Sequence, residues 1–376
     1  AKGAVLGVQT KSCPTVANGY LRRAILDTET LRQFAVSGYD VIKQLSPHSL
    51  LDFFVAFLRG TGRSGRNRQK DFIMQEELTM KNQNPIFRGI ATALVTPTTP
   101  EGIDFDRFGT LIDWQIAQGI NALVICGTTG ESSTLTDAEH RRAIAYACER
   151  VNGRVPVIAG TGSNETDYAV ELTKSACADG ADAVLVVTPY YNKTTQRGLV
   201  TMYNTIADAS TKPVILYNVP SRTGIGIQPE TYVKLAEHPN IAAIKEANSD
   251  ISKIVETFSL VGDKLDIYSG NDDQIVPILS MGGMGCISVL SNVVPAGTVA
   301  ITDKFFAGDV AGAAQLQCKY MPLIRSLFCE SNPIPVKAAM AAMGYCENFL
   351  RLPLVPMEED HYETMIQRMR ALGINV

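Results

Sequence analysis

Lys245 closes the apolar run Ile241 to Ile244. On a strand that faces an enclosed interior, such an amine is partly desolvated, which lowers its pKa and leaves it free to attack a carbonyl. That chemistry is a Schiff base; the competing reading is a structural ion pair with Glu246 or another carboxylate. Tyr217 stands near the end of the preceding apolar run, Pro213 to Asn218, where a phenol beside the lysine can relay protons to and from an imine or enamine. Its plainer reading is a half-buried aromatic with a satisfied hydroxyl. Tyr190 and Tyr191, after another apolar run, face the same choice.

Around these lie groups suited to holding a substrate. Gly127–Glu131 (GTTGE) offers backbone N–H groups and the hydroxyls of Thr128 and Thr129 to a carboxylate or a moving proton, although a Gly-rich turn is often only a turn. Gly160-Thr161-Gly162 is a weaker case, and neither stretch has the GxxxxGK[ST] pattern of a phosphate loop. Arg222, within Ser221–Gly224 (SRTG), is placed to clamp a carboxylate bidentately or else to make a loop-to-surface salt bridge.

Positioning these groups requires a scaffold, and eight apolar runs supply its strands: Gly89–Val95, Ala122–Gly127, Val155–Gly160, Ala183–Pro189, Pro213–Asn218, Ile241–Ala247, Leu265–Gly270 and Gly285–Leu290. Helical patterns alternate with them, such as Asp106–Gln118 and Thr136–Arg150, the latter opened by Thr136 with Glu139 at capping-box spacing. This α/β alternation predicts a (β/α)8 TIM barrel over residues 80–300, because closure removes the two strand edges an open sheet would have to cover. Reactive side chains at the C-terminal strand ends then converge. Helical patterns at Thr298–Phe306, Val310–Phe328, Pro335–Met343 and His361–Leu372 predict a C-terminal helical region over 301–376.

Residues 1–79 do not share this rhythm and include the basic stretch Arg59–Lys70. One reading is a translated leader or fragment with Met80 as the true start, since Gln75-Glu76-Glu77 can be encoded with a purine-rich ribosome-binding sequence. A targeting peptide is the rival, poorly suited by Asp27, Glu29 and Asp40.

The 376 residues, 45% hydrophobic and 19% charged, suffice for a large core, and the formal net charge of -4 gives no overall positive field for a nucleic acid. The 8 Cys contain no CxxC pair and the 4 His (His48, His140, His238, His361) are scattered singly, so neither a metal site nor a disulfide framework is expected. Leu50–Leu58 is interrupted by Asp52 and far shorter than the ~20 apolar residues of a spanning helix. Small-molecule substrates, no membrane partner and a cytoplasmic setting follow as expectations.

Taken in order, GTTGES (Gly127–Ser132), VIAGTGSN (Val157–Asn164), TPYYNK (Thr188–Lys193), LYNVPSRTG (Leu216–Gly224), IKEA (Ile244–Ala247), SGNDD (Ser269–Asp273) and NPIPVK (Asn332–Lys337) resemble the dihydrodipicolinate synthase family of pyruvate-dependent Schiff-base lyases and aldolases, from about Phe87 to the C-terminus. The resemblance implies an imine between Lys245 and pyruvate, a proton relay of Tyr217, Thr128 and Tyr191, with Tyr191 coming from a neighbouring subunit, and no cofactor. It further implies that Thr129 holds the pyruvate carboxylate, Arg222 that of aspartate 4-semialdehyde, and that Gly270 and Ile287 supply backbone contacts near the imine. The product would be 4-hydroxy-tetrahydrodipicolinate, made by a homotetramer.

N-acetylneuraminate lyase or a 2-keto-3-deoxy sugar acid aldolase shares the lysine and tyrosine but does not need Arg222 in this setting; an inactive barrel used as a scaffold is the non-enzyme alternative. By the same resemblance, Ser132, Asn164 and Tyr190 match positions near a feedback site for lysine. Asp137 and Tyr168 stand there in place of the usual His and Glu, which predicts weak inhibition.

Overall fold

The eight apolar runs, buried on both faces, form eight parallel strands whose successive side chains point alternately into the barrel and under the helices. In the computed structural model, which describes residues 85–376, these are β1 (Gly89–Ala93), β2 (Ala122–Ile125), β3 (Val157–Gly160), β4 (Ala183–Val187), β5 (Val214–Asn218), β6 (Ile241–Glu246), β7 (Asp266–Ser269) and β8 (Gly285–Ser288). They close into one barrel, with β1 hydrogen-bonded to both β2 and β8. The expected (β/α)8 barrel is therefore the fold. The expectations for residues 1–79 lie outside the described residues.

One set of alternating side chains fills the barrel: Ala91 and Ala93 from β1, Ala122 and Val124 from β2, Ile158, Leu185, Ile215, Ala243, Tyr268 and Ile287. Tyr268 stacks on Phe87 with ring centroids 4.1 Å apart and donates its hydroxyl to the Phe87 carbonyl at 2.7 Å. Since Phe87 precedes β1, this pair fills the N-terminal end of the interior, leaving the opposite end for a site. The other set, including Ile90, Leu123, Val186, Leu216, Ile244 and Ile267, packs under the helices.

Eight helices cover the barrel: α1 (Phe105–Ala117), α2 (Asp137–Val151), α3 (Thr166–Ala178), α4 (Gln196–Ala209), α5 (Pro229–Leu235), α6 (Ile251–Val261), α7 (Ile275–Ser280) and α8 (Pro295–Phe306). The capping box of α2 forms as expected: Thr136 Oγ1 accepts from the Glu139 N–H at 3.3 Å, and Glu139 Oε2 accepts from the Thr136 N–H at 2.9 Å. Helix α8 begins three residues before the expected Thr298 because Pro295 occupies its first turn, where the missing N–H costs nothing.

Three more helices follow, α9 (Val310–Leu327), α10 (Ile334–Ala342) and α11 (Glu359–Ala371). No helix among the described residues is long and apolar enough to cross a membrane. A small antiparallel hairpin, Thr98–Thr99 with Gly102–Ile103, was not expected; two-residue strands carry no readable periodicity.

Candidate active site

Lys245 lies two residues after the interior residue Ala243 on β6, so its side chain enters the barrel. It is 6% exposed, and its Nζ sits 4.2 Å from the centroid of the Tyr217 ring. The two residues are direct partners in the β5–β6 ladder. Lys245 makes no ion pair among the described residues. The expected alternative, a pair with Glu246, fails on geometry: Glu246 points through the opposite face, where it accepts from Asn218 Nδ2, the Tyr232 hydroxyl and the Asn248 N–H.

Gly270, directly after β7, leaves room for the lysine. A Cβ there would lie 2.7 Å from Ala247 Cβ and 3.2 Å from Lys245 Cε, so any side chain would press on the amine's stem. Ile287 is fully buried in the same interior cluster as Tyr217. Between them, Asp272 fixes the β7 and β8 ends by accepting from Ser288 Oγ at 2.5 Å and from the N–H groups of Val289 and Leu290 at 3.0 and 2.9 Å. Burial raises its pKa and these donors oppose the rise.

The loop after β2 carries Thr128 and Thr129. It folds back through Gly130 N–H to Gly127 O and Glu131 N–H to Thr128 O, both at 3.1 Å. This turn places Glu131 in the left-handed region, φ 55°, where a side chain is held only if its surroundings fix it. The fixing group is Lys337 on α10: its Nζ reaches Glu131 Oε1 at 2.5 Å and Thr98 Oγ1 at 2.6 Å, with both charged side chains essentially out of solvent.

The same segment braces the substrate-binding candidates. Asn332 Nδ2 donates to Thr129 Oγ1 at 3.0 Å, while the Asn332 carbonyl accepts from Arg222 Nη2 at 3.1 Å. Thr129 is buried and Arg222, on the helical turn Pro220–Thr223 after β5, is exposed. An inner and an outer polar group are thus joined through one residue.

A family model described as "Dihydrodipicolinate synthetase family" matches residues 86–372. The chain belongs to the dihydrodipicolinate synthetase family. It is 48% identical over 291 residues to a 4-hydroxy-tetrahydrodipicolinate synthase of Thermoanaerobacter sp. (strain X514), covering 77% of this chain and 98% of the relative. It is 50% identical over 293 residues to one from Caldicellulosiruptor saccharolyticus, covering 78% and 99%. The crystal structure of the chloride-inhibited dihydrodipicolinate synthase of Acinetobacter baumannii, complexed with pyruvate, superposes with a TM-score of 0.75 at 43% identity, covering 76% of this chain and 99% of that one.

Tyr191 of this family member is 94% exposed with φ 70°, projecting away from Lys245 and Tyr217 rather than joining them within the chain. Asn164 and Tyr190 do meet, through Asn164 Oδ1 and the Tyr190 N–H at 2.8 Å, and Ser132 opens the turn that follows the Thr128–Glu131 loop. Asp137 is held by Tyr168, whose hydroxyl donates to it at 2.9 Å, and by Arg141 at 2.9 Å. These two contacts, Tyr168 first, hold its pKa below the usual carboxylate range.

Glu131, Asn332, Lys337 and Asn218 were not singled out from sequence, although each stands within a quoted motif, and Glu246 was considered only as an ion-pair partner of Lys245. Cys329, Glu330 and His361 bring three potential metal-ligand atoms within 4.8 Å of one another. Glu330 there already accepts from the Glu358 N–H and contacts His361 Nδ1.

Proposed function

We propose that this chain condenses pyruvate with L-aspartate 4-semialdehyde to give 4-hydroxy-tetrahydrodipicolinate, in the route to lysine and diaminopimelate. The observation that carries the reading is the buried Lys245 amine, without an ion pair among the described residues, against the Tyr217 ring at the C-terminal end of the barrel.

In this reading the amine of Lys245 adds to C2 of pyruvate, and Tyr217 passes a proton to the departing hydroxyl, which leaves as water. The iminium acidifies the methyl group. Loss of one methyl proton gives the enamine, whose carbon attacks the C4 aldehyde of the semialdehyde, and the aldehyde oxygen takes up a proton. The substrate's own amine then displaces Lys245 at the imine carbon, closing the ring and returning the free lysine. No external oxidant, reductant or cofactor is required.

Thr128 completes the relay, with Tyr191 supplied by a neighbouring subunit; its exposure and left-handed backbone suit a residue that works in another chain's site. Thr129 receives the pyruvate carboxylate, with Gly270 and Ile287 lining the imine. Arg222 receives the semialdehyde carboxylate, and the Asn332 bridge supports that division between an inner and an outer anion site. The assembly is a homotetramer acting in the cytoplasm, and the helical region that follows α8 braces the catalytic barrel through Asn332 and Lys337.

The test is a coupled assay with pyruvate and aspartate semialdehyde, run beside cleavage of N-acetylneuraminate and 2-keto-3-deoxygluconate. Turnover in the first and none in the others is expected. Preferential cleavage of either sugar acid would overturn the assignment.

A further inference from the structure

We infer that Glu246 is a positioning residue: clamped to Asn218 on the outer face of the barrel wall, its carboxylate fixes the register in which Lys245 and Tyr217 meet on the inner face. The inference rests on the imine reading of Lys245.

Strands β5 and β6 pair Tyr217 with Lys245 and, one step on, Asn218 with Glu246. Successive strand side chains point to opposite faces, so the two pairs are front and back of one stretch of ladder. That ladder slips between Val214 and Ile215. Beyond such an irregularity the register must be set again, because a further shift of one residue would turn Lys245 out of the barrel.

The outer pair is built to set it. Asn218 Nδ2 donates to both carboxylate oxygens, at 2.9 and 3.1 Å; the Tyr232 hydroxyl of α5 donates at 3.1 Å and the Asn248 N–H at 2.8 Å. Asn218 Oδ1 accepts from the Ile227 N–H at 3.0 Å, tying in the segment that follows Arg222. The clamp therefore joins β5, β6, a covering helix and both loops at this side of the mouth.

A carboxylate is a poor choice here for stability alone. Glu246 is 2% exposed and makes no ion pair among the described residues. Desolvation pushes its pKa up to about 7 against the donors that favour the charge. The titratable neighbour on its face is Tyr232, backed by Tyr203 of α4, both phenols held neutral by burial; Ser269 is its partner on β7, and Lys245 occupies the other face. Only the ionised form accepts from every donor at once. A protonated carboxyl, or a glutamine, would turn one of its own hydrogens toward groups that already donate.

The experiment compares Glu246→Gln and Asn218→Ala with the unmodified full chain. Melting temperature, kcat and KM across pH 6–9, and the rate at which pyruvate and borohydride label Lys245 are measured. Glu246→Gln is expected to melt at the same temperature or higher at pH 8, yet to lose at least about tenfold in kcat and labelling rate. Its KM for the semialdehyde stays unchanged, and the fall in kcat below about pH 7 is flattened. Asn218→Ala removes the donor from the other side and gives the same kinetic loss. Wild-type labelling rate and pH profile in both variants, or a lowered melting temperature with unchanged kcat, would overturn the inference alone. Absence of any Lys245 adduct in the unmodified chain would instead overturn the imine reading on which it rests.

Discussion

Glu131 and Lys337, 206 residues apart, form an ion pair whose side chains are 1% and 0% exposed. The pair bolts the loop bearing Thr128 and Thr129 to a helix beyond the barrel, and it holds Glu131 in a left-handed backbone conformation. Removing one partner leaves a buried charge without compensation, which typically costs ~3–5 kcal/mol. Lys337→Met is therefore expected to lower the unfolding free energy by about that amount in urea titrations, and the Glu131→Gln/Lys337→Met double variant by less. A single variant within about 1 kcal/mol of the parent would show that the pair does not brace the loop.

Two carboxylates set opposite pH limbs of stability. Glu246 has its folded pKa raised to about 7 from 4.5, so the folded state binds the extra proton between those values. Its contribution is greatest below about pH 4.5 and is lost as pH rises through about 7, by on the order of 3 kcal/mol. Glu139, paired chiefly with Arg351, is lowered to about 2; its contribution is present above about 4.5 and is lost as pH falls toward 2. Unfolding free energies measured from pH 3 to 9 should show Glu246→Gln flattening only the neutral limb and Glu139→Gln only the acid limb. Curves parallel to the parent would contradict both assignments.

In the proposed reaction, Arg222→Ala removes the outer carboxylate contact and leaves the inner one. A lost bidentate charge-assisted contact is worth ~2–3 kcal/mol, or roughly 30–150-fold in kcat/KM for the semialdehyde. Borohydride trapping with pyruvate should persist. Equal loss of both would refute the division of labour between Arg222 and Thr129.

Lysine should inhibit weakly. Asp137 is already engaged by Tyr168 and Arg141, so it offers little to an incoming ammonium group where a free acid would be needed. Initial rates with lysine up to about 10 mM test this, since a ligand held without its charge partner binds in the millimolar range or weaker. Half-inhibition below 1 mM would contradict it.

The barrel was legible because strands buried on both faces read as short apolar runs, and these alternate with helical patterns along the sequence. Lys245 could be placed at a strand end by counting. That its neighbour Glu246 faces the other way follows from strand alternation alone, but the groups each side chain meets on its own face could not be counted off the sequence. The supports of the site were hidden for a different reason: Asn332 reaches Arg222 and Thr129 across 110 and 203 residues, and Lys337 reaches Glu131 across still more. Nothing local in either partner announces such a contact. The role proposed for Tyr191 rests on the resemblance, since the fold of the single chain leaves this side chain 94% exposed.

The central claim is that Lys245 carries the substrate as an imine. Incubation with pyruvate followed by borohydride, digestion and mass spectrometry of the peptides tests it directly. Reduction of the imine should leave the pyruvate carbons on the peptide containing Lys245, and Lys245→Ala should abolish the label. An adduct on another lysine, or none in the intact protein, would contradict the account.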